Sequence, residues 1–231
     1  MCHTGVVYVR EIEGKELTFI VSGRLWRNSM IMQDEQTGSY WSHITGAALL
    51  GELKGTQLRS LTAVQTDWEK WYGANPDTKV LKKEAEIRSS SYEGYFNDPR
   101  RTGIFRARYL LDRLPGKELV HGLHLGVHAL AVTDALMEKK PFLRTRLNNI
   151  PIVLIRTNAD GVRAFEAGEH RLYPAADEKY LRDEATGSLW KAATGRCVDG
   201  RLRGSALKEI PVTVAYWFAW SNFYPNTLVL D

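Results

Sequence analysis

The sequence predicts a mainly β protein (α+β), built from two homologous β-meander or barrel-like units with short Trp-bearing helices. Residues 34–58 and 183–207 are identical at 12 of 25 positions with a constant offset of 149, where roughly one or two identities are expected by chance. Both stretches contain short apolar runs separated by glycines, a pattern typical of antiparallel meanders. Each is followed at the same offset by a Trp-x-x-Trp pair, whose spacing places both tryptophans on one face of a helix, and we expect both helices to belong to the core. These observations together indicate an internal duplication.

The repeat divides the chain into three parts, which we name unit one (1–81), the connecting segment (82–149) and unit two (150–231). We expect the functional site in unit one and a structural role for unit two. Within the connecting segment, Lys82–Pro115 is irregular and rich in Ser, Gly, Tyr and Arg. A stretch of this kind is either an ordered excursion over the site or a plain linker.

Local patterns predict the individual elements. Apolar runs bounded by turn residues predict strands in unit one at Val6–Val9, Leu17–Val21, Met30–Gln33, Ser39–Trp41, Leu49–Leu53, Leu58–Ala63 and Lys79–Leu81. A turn at Glu13–Lys15 predicts that the first two of these strands form a hairpin. Thr66 and Asp67 precede the first tryptophan pair as a helix N-cap would. The remaining predicted elements are a Gly-punctuated hairpin over Leu119–Val132, a helix over Thr133–Glu138, a strand over Ile150–Arg156, a second meander over Asp183–Ile210, a helix over Val214–Phe223 and a strand over Thr227–Leu230.

Composition excludes several classes of protein. The 231 residues, 44% of them hydrophobic and 25% charged, are enough for a folded domain with a sizeable core. The net charge of +4 is spread along the chain without a dense Lys/Arg cluster, which argues against nucleic-acid binding. The sequence contains no run of 18 apolar residues that would predict a membrane span, and no signal peptide is recognisable. The chain as given is therefore expected in the cytoplasm. Cys2 and Cys197 form no disulfide pattern, and Cys197 occupies a packing position.

The duplication also serves as a partial alignment. Residues found in both units are explained by a shared fold, and residues found in one unit alone are candidates for a site. Unit one alone carries Cys2, His3, Asn28, Ser29 and His43. The matching positions of unit two hold no sulfur and no imidazole, so we place the predicted site in unit one.

Several motifs, taken in order, carry a resemblance to a known family: CHTGVVY, GKELTFIVSGRL, DEQTGSYWSHITGAALLGELKGTQL, W-x-x-W, NPDT and YWFAWSNFYPNT. Over nearly the whole chain they resemble the DUF3179 family, a bacterial and archaeal family of uncharacterised function. The resemblance implies a C-x-x-C motif of which this chain holds the second Cys, Cys2, and a preceding segment similar to Leu119–Asn149, which this chain lacks. It also implies Gln at the position of His43 and relatives that are often exported. It supplies no reaction.

Cys2, His3 and His43 are the residues that we predict for chemistry. Thiolate and imidazole bind transition metals, and they also act as nucleophile and base. Cys2 and His43 are therefore candidates for catalysis, and all three residues are candidates for a metal site. The alternatives are a disordered terminal Cys without a role and a hydrogen-bonded core or rim histidine at position 43.

A ligand-binding set is predicted around these residues: Asn28, Ser29, Trp41, Tyr92 and Tyr95. Asn28 and Ser29 offer hydrogen bonds to a ligand or cap a turn. Trp41 is expected in the core, on the strand face that also carries the candidate histidine. The two tyrosines either close over a pocket or simply pack.

Three further histidines, His121, His124 and His128, resemble a metal cluster by composition. Their spacing argues against one, because His121 and His124 point to opposite faces of a strand. A turn at Gly126 would also separate His128 from the other two.

These observations leave three functions open. The first is a metal- or thiol-dependent redox or binding protein that uses Cys2, His3 and His43, with a transition metal as the candidate cofactor. The second is a non-catalytic module that binds a small molecule between the two units. The third is a cysteine-nucleophile hydrolase with His43 as base, for which no orienting third residue is identifiable. No hairpin precedes unit one, so its uncovered edge also predicts a homodimer.

Overall fold

The fold is mainly β, as predicted, with short strands in several small sheets and short helices between them. It is a computed structural model and describes residues 2–82, 92–103, 112–157 and 161–231. Residues 83–91 and 104–111 of the predicted excursion lie outside these ranges. Within them, no helix is both long and apolar enough to cross a membrane.

Unit one forms an antiparallel meander and two smaller ladders. Its elements are β1 (Val7–Tyr8), β2 (Glu11–Ile12), β3 (Lys15–Glu16), β4 (Phe19–Trp26), β5 (Ser29–Asp34), β6 (Tyr40–Ser42), β7 (Ala48–Leu50), β8 (Ser60–Leu61) and α1 (Trp68–Ala74). Strands β4 to β7 pair in order and form the unit-one meander, while β1 pairs with β8 and β2 with β3. The turn at Gly14 therefore joins β2 to β3, and the predicted hairpin of the first two strands is wrong. The predicted strand Lys79–Leu81 is also wrong, because no strand pairs with it and Leu81 is 86% exposed.

The connecting segment and unit two share their sheets. Their elements are α2 (Glu93–Asn97), β9 (Leu119–Leu125), β10 (His128–Thr133), α3 (Asp134–Lys139), β11 (Phe142–Leu147), β12 (Ile150–Thr157), β13 (Gly161–Glu166), β14 (Leu172–Pro174), β15 (Tyr180–Asp183), β16 (Leu189–Lys191), β17 (Arg196–Asp199), β18 (Lys208–Ile210), β19 (Thr213–Tyr216), α4 (Trp217–Phe223) and β20 (Leu228–Leu230). The predicted hairpin and the helix after it are present as β9, β10 and α3. The predicted helix Val214–Phe223 is only half right, because its first residues form β19 and pair with β9.

Three sheets of this region stack in layers. We name them the hairpin sheet (β19-β9-β10-β20), the inner sheet (β11-β12-β13-β18) and the unit-two meander (β14-β15-β16-β17). The inner sheet is buried on both faces: Ile152 and Leu154 face the hairpin sheet beside Leu130, while Val153 faces Trp190 of the unit-two meander. This double burial explains why β12 is an almost unbroken apolar run instead of an alternating one.

The two Trp-bearing helices have different surroundings. Helix α4 is buried against the hairpin sheet, where Gly122 leaves room for the ring of Trp220, since a Cβ at that position would overlap the ring. Helix α1 begins after the predicted cap Asp67, but it buries no residue, and Trp68 is 53% exposed. The expectation that both helices belong to the core is therefore wrong for α1. No second hairpin sheet covers it in the part of the chain that the structure describes.

The two meanders make matching contacts at the offset found in the sequence. Strand β16 and helix α4 begin and end 149 residues after β6 and α1. Gly51 (φ +100°) and Gly200 (φ +90°) each lie against a serine, and an ideal Cβ on either would come within 2.7 Å of the Cα of Ser39 or Ser188. Only glycine fits both the positive φ and this close approach. A common origin of the two units remains a prediction, and these contacts agree with it.

Candidate functional site

A cleft of 570 Å³ lies where unit one meets the hairpin and inner sheets. Its walls come from all three parts of the chain. Unit one contributes His3 and Gln65, the connecting segment contributes His121 and Asp134, and unit two contributes Arg156. A volume of this size is typical of small-molecule sites.

The position of His121 follows from the alternation of side chains along β9. Val120 packs towards α4, and Leu123 packs towards the inner sheet, so His121 shares the side of Leu123. There His121 is only 4% exposed, and its Nε2 lies 2.7 Å from Oδ1 of Asp134. Arg156 reaches the same carboxylate oxygen from β12 through its Nη2. Two sheets and the start of α3 thus converge on one polar cluster.

The charge state of Asp134 determines the tautomer of His121. The hydrogen bond from His121, followed by the hydrogen bond and positive charge of Arg156, lowers the pKa of Asp134 to about 2 despite the opposing effect of burial. An ionised carboxylate only accepts hydrogen bonds, so Nε2 of His121 carries the proton and donates it. Because Nη2 of Arg156 is also a donor, its approach to Nε2 at 3.3 Å is a contact and not a hydrogen bond.

Two atoms of this cluster are buried without a hydrogen-bond partner among the residues that the structure describes: Nδ1 of His121 and Nε of Arg156. Buried polar atoms are nearly always paired, so two unpaired ones in the wall of one cleft make this cluster a candidate for ligand binding or catalysis. With the proton on Nε2, the neutral ring of His121 has its lone pair on Nδ1. The cluster can therefore accept a proton or a hydrogen bond at one atom and donate a hydrogen bond at the other.

The rim of the cleft adds further charges. Lys70 pairs with Asp67 across 2.8 Å at the start of α1, and Glu138 contributes a carboxylate from α3. With Asp134 and Arg156, the lining holds three acidic and two strongly basic side chains. This balance does not favour an anion, and it fits a small polar molecule without net negative charge.

The predicted residues Cys2 and His3 lie beside this cleft. Cys2 is buried against Ile44 and Phe218, and its carbonyl oxygen accepts a hydrogen bond of 2.9 Å from the backbone of Tyr216. His3 lines the cleft, and its ring centroid is 5.1 Å from that of Tyr216. Cys2 is therefore buried and packed by its neighbours.

His43 and Ser29 lie close together at the ends of β5 and β6. The backbone N–H of His43 donates to the carbonyl of Met30, the neighbour of Ser29, at 3.3 Å. Nδ1 of His43 and Oγ of Ser29 are both buried, and neither has a hydrogen-bond partner in the described part of the chain. Burial lowers the pKa of His43, so this imidazole is neutral at neutral pH.

Asn28 and Tyr95 meet at Gly103. Asn28 adopts φ 65° in the β4–β5 turn, and its side chain lies against Gly103. The hydroxyl of Tyr95, which is buried, accepts a hydrogen bond of 3.2 Å from the backbone of Gly103. Tyr92 is 51% exposed. The hydroxyl of Tyr95 thus holds Gly103, and Gly103 contacts unit one through Asn28, while Tyr92 lies at the surface.

Trp41 lies inside the unit-one core. Its side chain is fully buried beside Leu17 and Leu58, and its Nε1 donates a hydrogen bond of 2.8 Å to Asp34. This indole has a structural role. Its expected place in the core is correct, and it lines none of the cavities described here.

No group of three or more His, Cys, Asp or Glu side chains is placed to hold a metal ion within the described ranges. The three histidines of the hairpin sheet are separated, as their spacing predicts. His121 lines the cleft, His124 stacks on Tyr224 with ring centroids 5.2 Å apart, and His128 is exposed beyond the turn at Gly126.

Sequence reasoning did not select Asp134 or Arg156. Asp134 follows Thr133, whose hydroxyl caps α3, so an acidic residue there is explained by the helix start alone. Arg156 stands near the end of an apolar strand, and an arginine in a doubly buried strand requires a partner. That requirement was the one available indication of a polar cluster.

Fold and cleft together define a small β-rich protein with a cleft of small-molecule size at the junction of its parts. The chain belongs to the family DUF3179, described as a protein of unknown function, whose sequence model matches residues 1–227. No curated protein and no solved structure is detectably similar to the chain.

Proposed function

We propose that this protein binds a small polar molecule in the cleft between its units, and that His121 accepts a proton from that molecule or from a water beside it. One observation carries the proposal: His121 donates from Nε2 to an ionised Asp134 while its Nδ1 is buried without a partner in the cleft wall. A base oriented by a carboxylate is the arrangement that general-base catalysis uses.

Each residue of the cluster has a distinct role in this proposal. Nδ1 of His121 takes the proton, and the ring becomes an imidazolium. The carboxylate of Asp134 stabilises the new positive charge and keeps the first proton on Nε2, so that Nδ1 carries the lone pair. Arg156 keeps Asp134 ionised and adds a positive charge to the wall of the cleft.

The tautomer of His121 tests the geometry directly. Long-range ¹H–¹⁵N NMR correlations at neutral pH should report a proton on Nε2 and none on Nδ1. Asp134→Asn should shift the ring towards the other tautomer or a mixture, because an amide also offers a donor. A His121 ring that carries its proton on Nδ1 in the wild type would refute the assigned role.

Activity is tested with p-nitrophenyl acetate, a small uncharged ester that reports general-base and nucleophilic reactivity. We expect the wild type to release p-nitrophenolate faster than buffer alone does. His121→Gln should reduce this rate above the buffer rate about a hundredfold. The matched control is His128→Gln, which removes an exposed histidine from the same hairpin. Equal rates in the two variants would contradict the proposal.

A thiol function of Cys2 is the second candidate, and the state of His43 favours it. His43 is neutral and so keeps one ring nitrogen that accepts a proton, and the adjacent Ile44 packs on Cys2. Alkylation by iodoacetamide, followed by mass spectrometry, should then modify Cys2 faster than Cys197, which is also buried, and His43→Gln should slow the reaction at Cys2. Equal rates at the two cysteines would leave no support for this candidate.

The duplication and the homodimer also remain proposals. The matching Gly–Ser contacts of the two meanders support a common ancestral unit. The exposed aromatic face of α1, which includes Trp68, supports pairing with a second copy. Sedimentation should give a dimer for the wild type and a monomer for Trp68→Ser. A wild-type monomer at high concentration would refute the dimer.

A further inference from the structure

A second cavity, of 460 Å³, lies between unit one and the other side of the hairpin sheet. Tyr8 and Arg59 border it from unit one, and His124 and Tyr224 border it from the rest of the chain. The remaining lining is apolar or uncharged. None of the residues that form the His121 cluster takes part in it.

The charge of this cavity differs from that of the cleft. Among the residues that the structure describes, Arg59 is the one lining residue with a charge at neutral pH, and none of the lining residues is a carboxylate. Burial raises the pKa of Tyr8 and raises that of Tyr224 to about 12, and burial lowers the pKa of His124, so these three side chains are neutral. Arg59 forms no ion pair with any residue in the described part of the chain. The cavity therefore favours an anion.

A column of stacked rings gives the cavity a flat apolar wall. Trp220 stacks on Tyr224 with centroids 4.2 Å apart, and Tyr224 stacks on His124 with centroids 5.2 Å apart and planes inclined by 25°. His124 ends the column; it is partly covered by the cavity wall, and part of its surface is exposed. A planar ring placed there would continue the stack.

We propose that this cavity is a second binding site, which takes a small planar carboxylate. The carboxylate pairs with the guanidinium of Arg59, which matches its two oxygens with two parallel N–H groups. The flat body of the ligand stacks on the outer face of His124. Tyr8 does not compete for the anion, because its hydroxyl already donates to the carbonyls of His43 and Ile44 at 3.0 Å.

Three probes separate the parts of this proposal: benzoate, benzamide and cyclohexanecarboxylate. Titrations followed by the imidazole NMR signals of His124 should show saturable binding of benzoate to the wild type. Benzamide, which lacks the charge, and cyclohexanecarboxylate, which lacks the flat ring, should each bind about tenfold more weakly. Arg59→Gln should weaken the binding of benzoate by a similar factor and leave the binding of benzamide unchanged. The control Arg203→Gln removes an exposed arginine from unit two and should change nothing.

Each outcome bears on the site. Absence of benzoate binding to the wild type, or binding that leaves His124 unperturbed, overturns it. Equal affinities for benzoate and benzamide would refute the preference for an anion. Equal affinities for benzoate and cyclohexanecarboxylate would refute the stacking on His124. His121→Gln should leave benzoate binding intact, because the cleft and this cavity are lined by different residues. The probe comparison on the wild type does not depend on the folding of any variant.

Discussion

Replacing Asp134 with Asn should change how the stability of the protein depends on pH. In the folded chain the hydrogen bond from His121 and the contact with Arg156 hold the pKa of Asp134 at about 2, below its ordinary value of 3.8. A carboxyl group with a depressed pKa in the folded state stabilises the fold at pH values above its unfolded pKa. This contribution is lost as the pH falls through the folded pKa. Asn cannot ionise, so the variant lacks the contribution at every pH.

The structure sets the size of this effect. A fall in pKa from 3.8 to about 2 corresponds to about 2 kcal/mol at neutral pH, because a tenfold change in proton affinity is worth about 1.4 kcal/mol. A quarter of the Asp134 side chain is exposed, and solvent screening there reduces the expected value to about 1–2 kcal/mol. The difference in unfolding free energy between wild type and variant should shrink by this amount between about pH 5 and about pH 2.

Urea unfolding followed by tryptophan fluorescence measures both proteins across this range. Other carboxylates, such as Asp34 and Asp183, also have lowered pKa values, and they cancel in the difference between the two proteins. Asp77→Asn is the control, because Asp77 is exposed and should give a difference that does not vary with pH. Parallel curves for the wild type and Asp134→Asn would show that the cluster does not hold Asp134 ionised, and the reasoning for His121 would fail with it.

Three further predictions concern the repeat and are checked by urea unfolding. Asp34→Asn should lower the free energy of unfolding by about 2–4 kcal/mol, because Asp34 accepts a hydrogen bond from the buried indole of unit one. Asp183→Asn should lower it by less, because one oxygen of Asp183 has no hydrogen-bond partner among the described residues. Gly51→Ala should cost more than about 2 kcal/mol, because the new Cβ would overlap a serine and φ is positive. Trp217→Ala should cost about 3–5 kcal/mol and Trp68→Ala about 1 kcal/mol or less, since the first is buried and the second is exposed. Reversal of either order would contradict the burial argument.

Local patterns predicted the elements well wherever the cause is local. Helix α1 begins where Asp67 caps it, and the hairpin of the connecting segment turns at Gly126, because capping and positive φ depend on neighbouring residues. The pairing of β1 with β8 was missed because Val7 and Leu61 are far apart in the chain and no turn residue identifies such a partner. The exposure of α1 was missed for the same reason, since burial depends on what covers a helix.

The residues of the candidate site were also missed because they meet through contacts that are distant in the sequence. His121 was recognised as a titratable residue but was considered only as a metal ligand beside the other histidines of its strands. Asp134 and Arg156 each have a local explanation as a helix start and a strand end. Their chemistry appears only when α3, β9 and β12 pack together, and Arg156 and His121 are 35 residues apart. No spacing rule connects residues that meet across two different sheets.

The sequence comparison of unit one with unit two could not identify the cluster of His121, Asp134 and Arg156. The comparison selects residues that one unit has and the other lacks, but His121 and Asp134 belong to the connecting segment, which has no counterpart in the chain. Of the predicted chemical residues, only His3 lines the cleft. The shape of the cleft depends on how all three parts are placed relative to one another. A substitution that only shifts unit one against the hairpin sheet should therefore change the shape of the cleft, even though it does not contact His121. In this protein the two matching meanders belong to the scaffold, and the cluster that we propose as a base lies at the junction of unit one, the connecting segment and unit two.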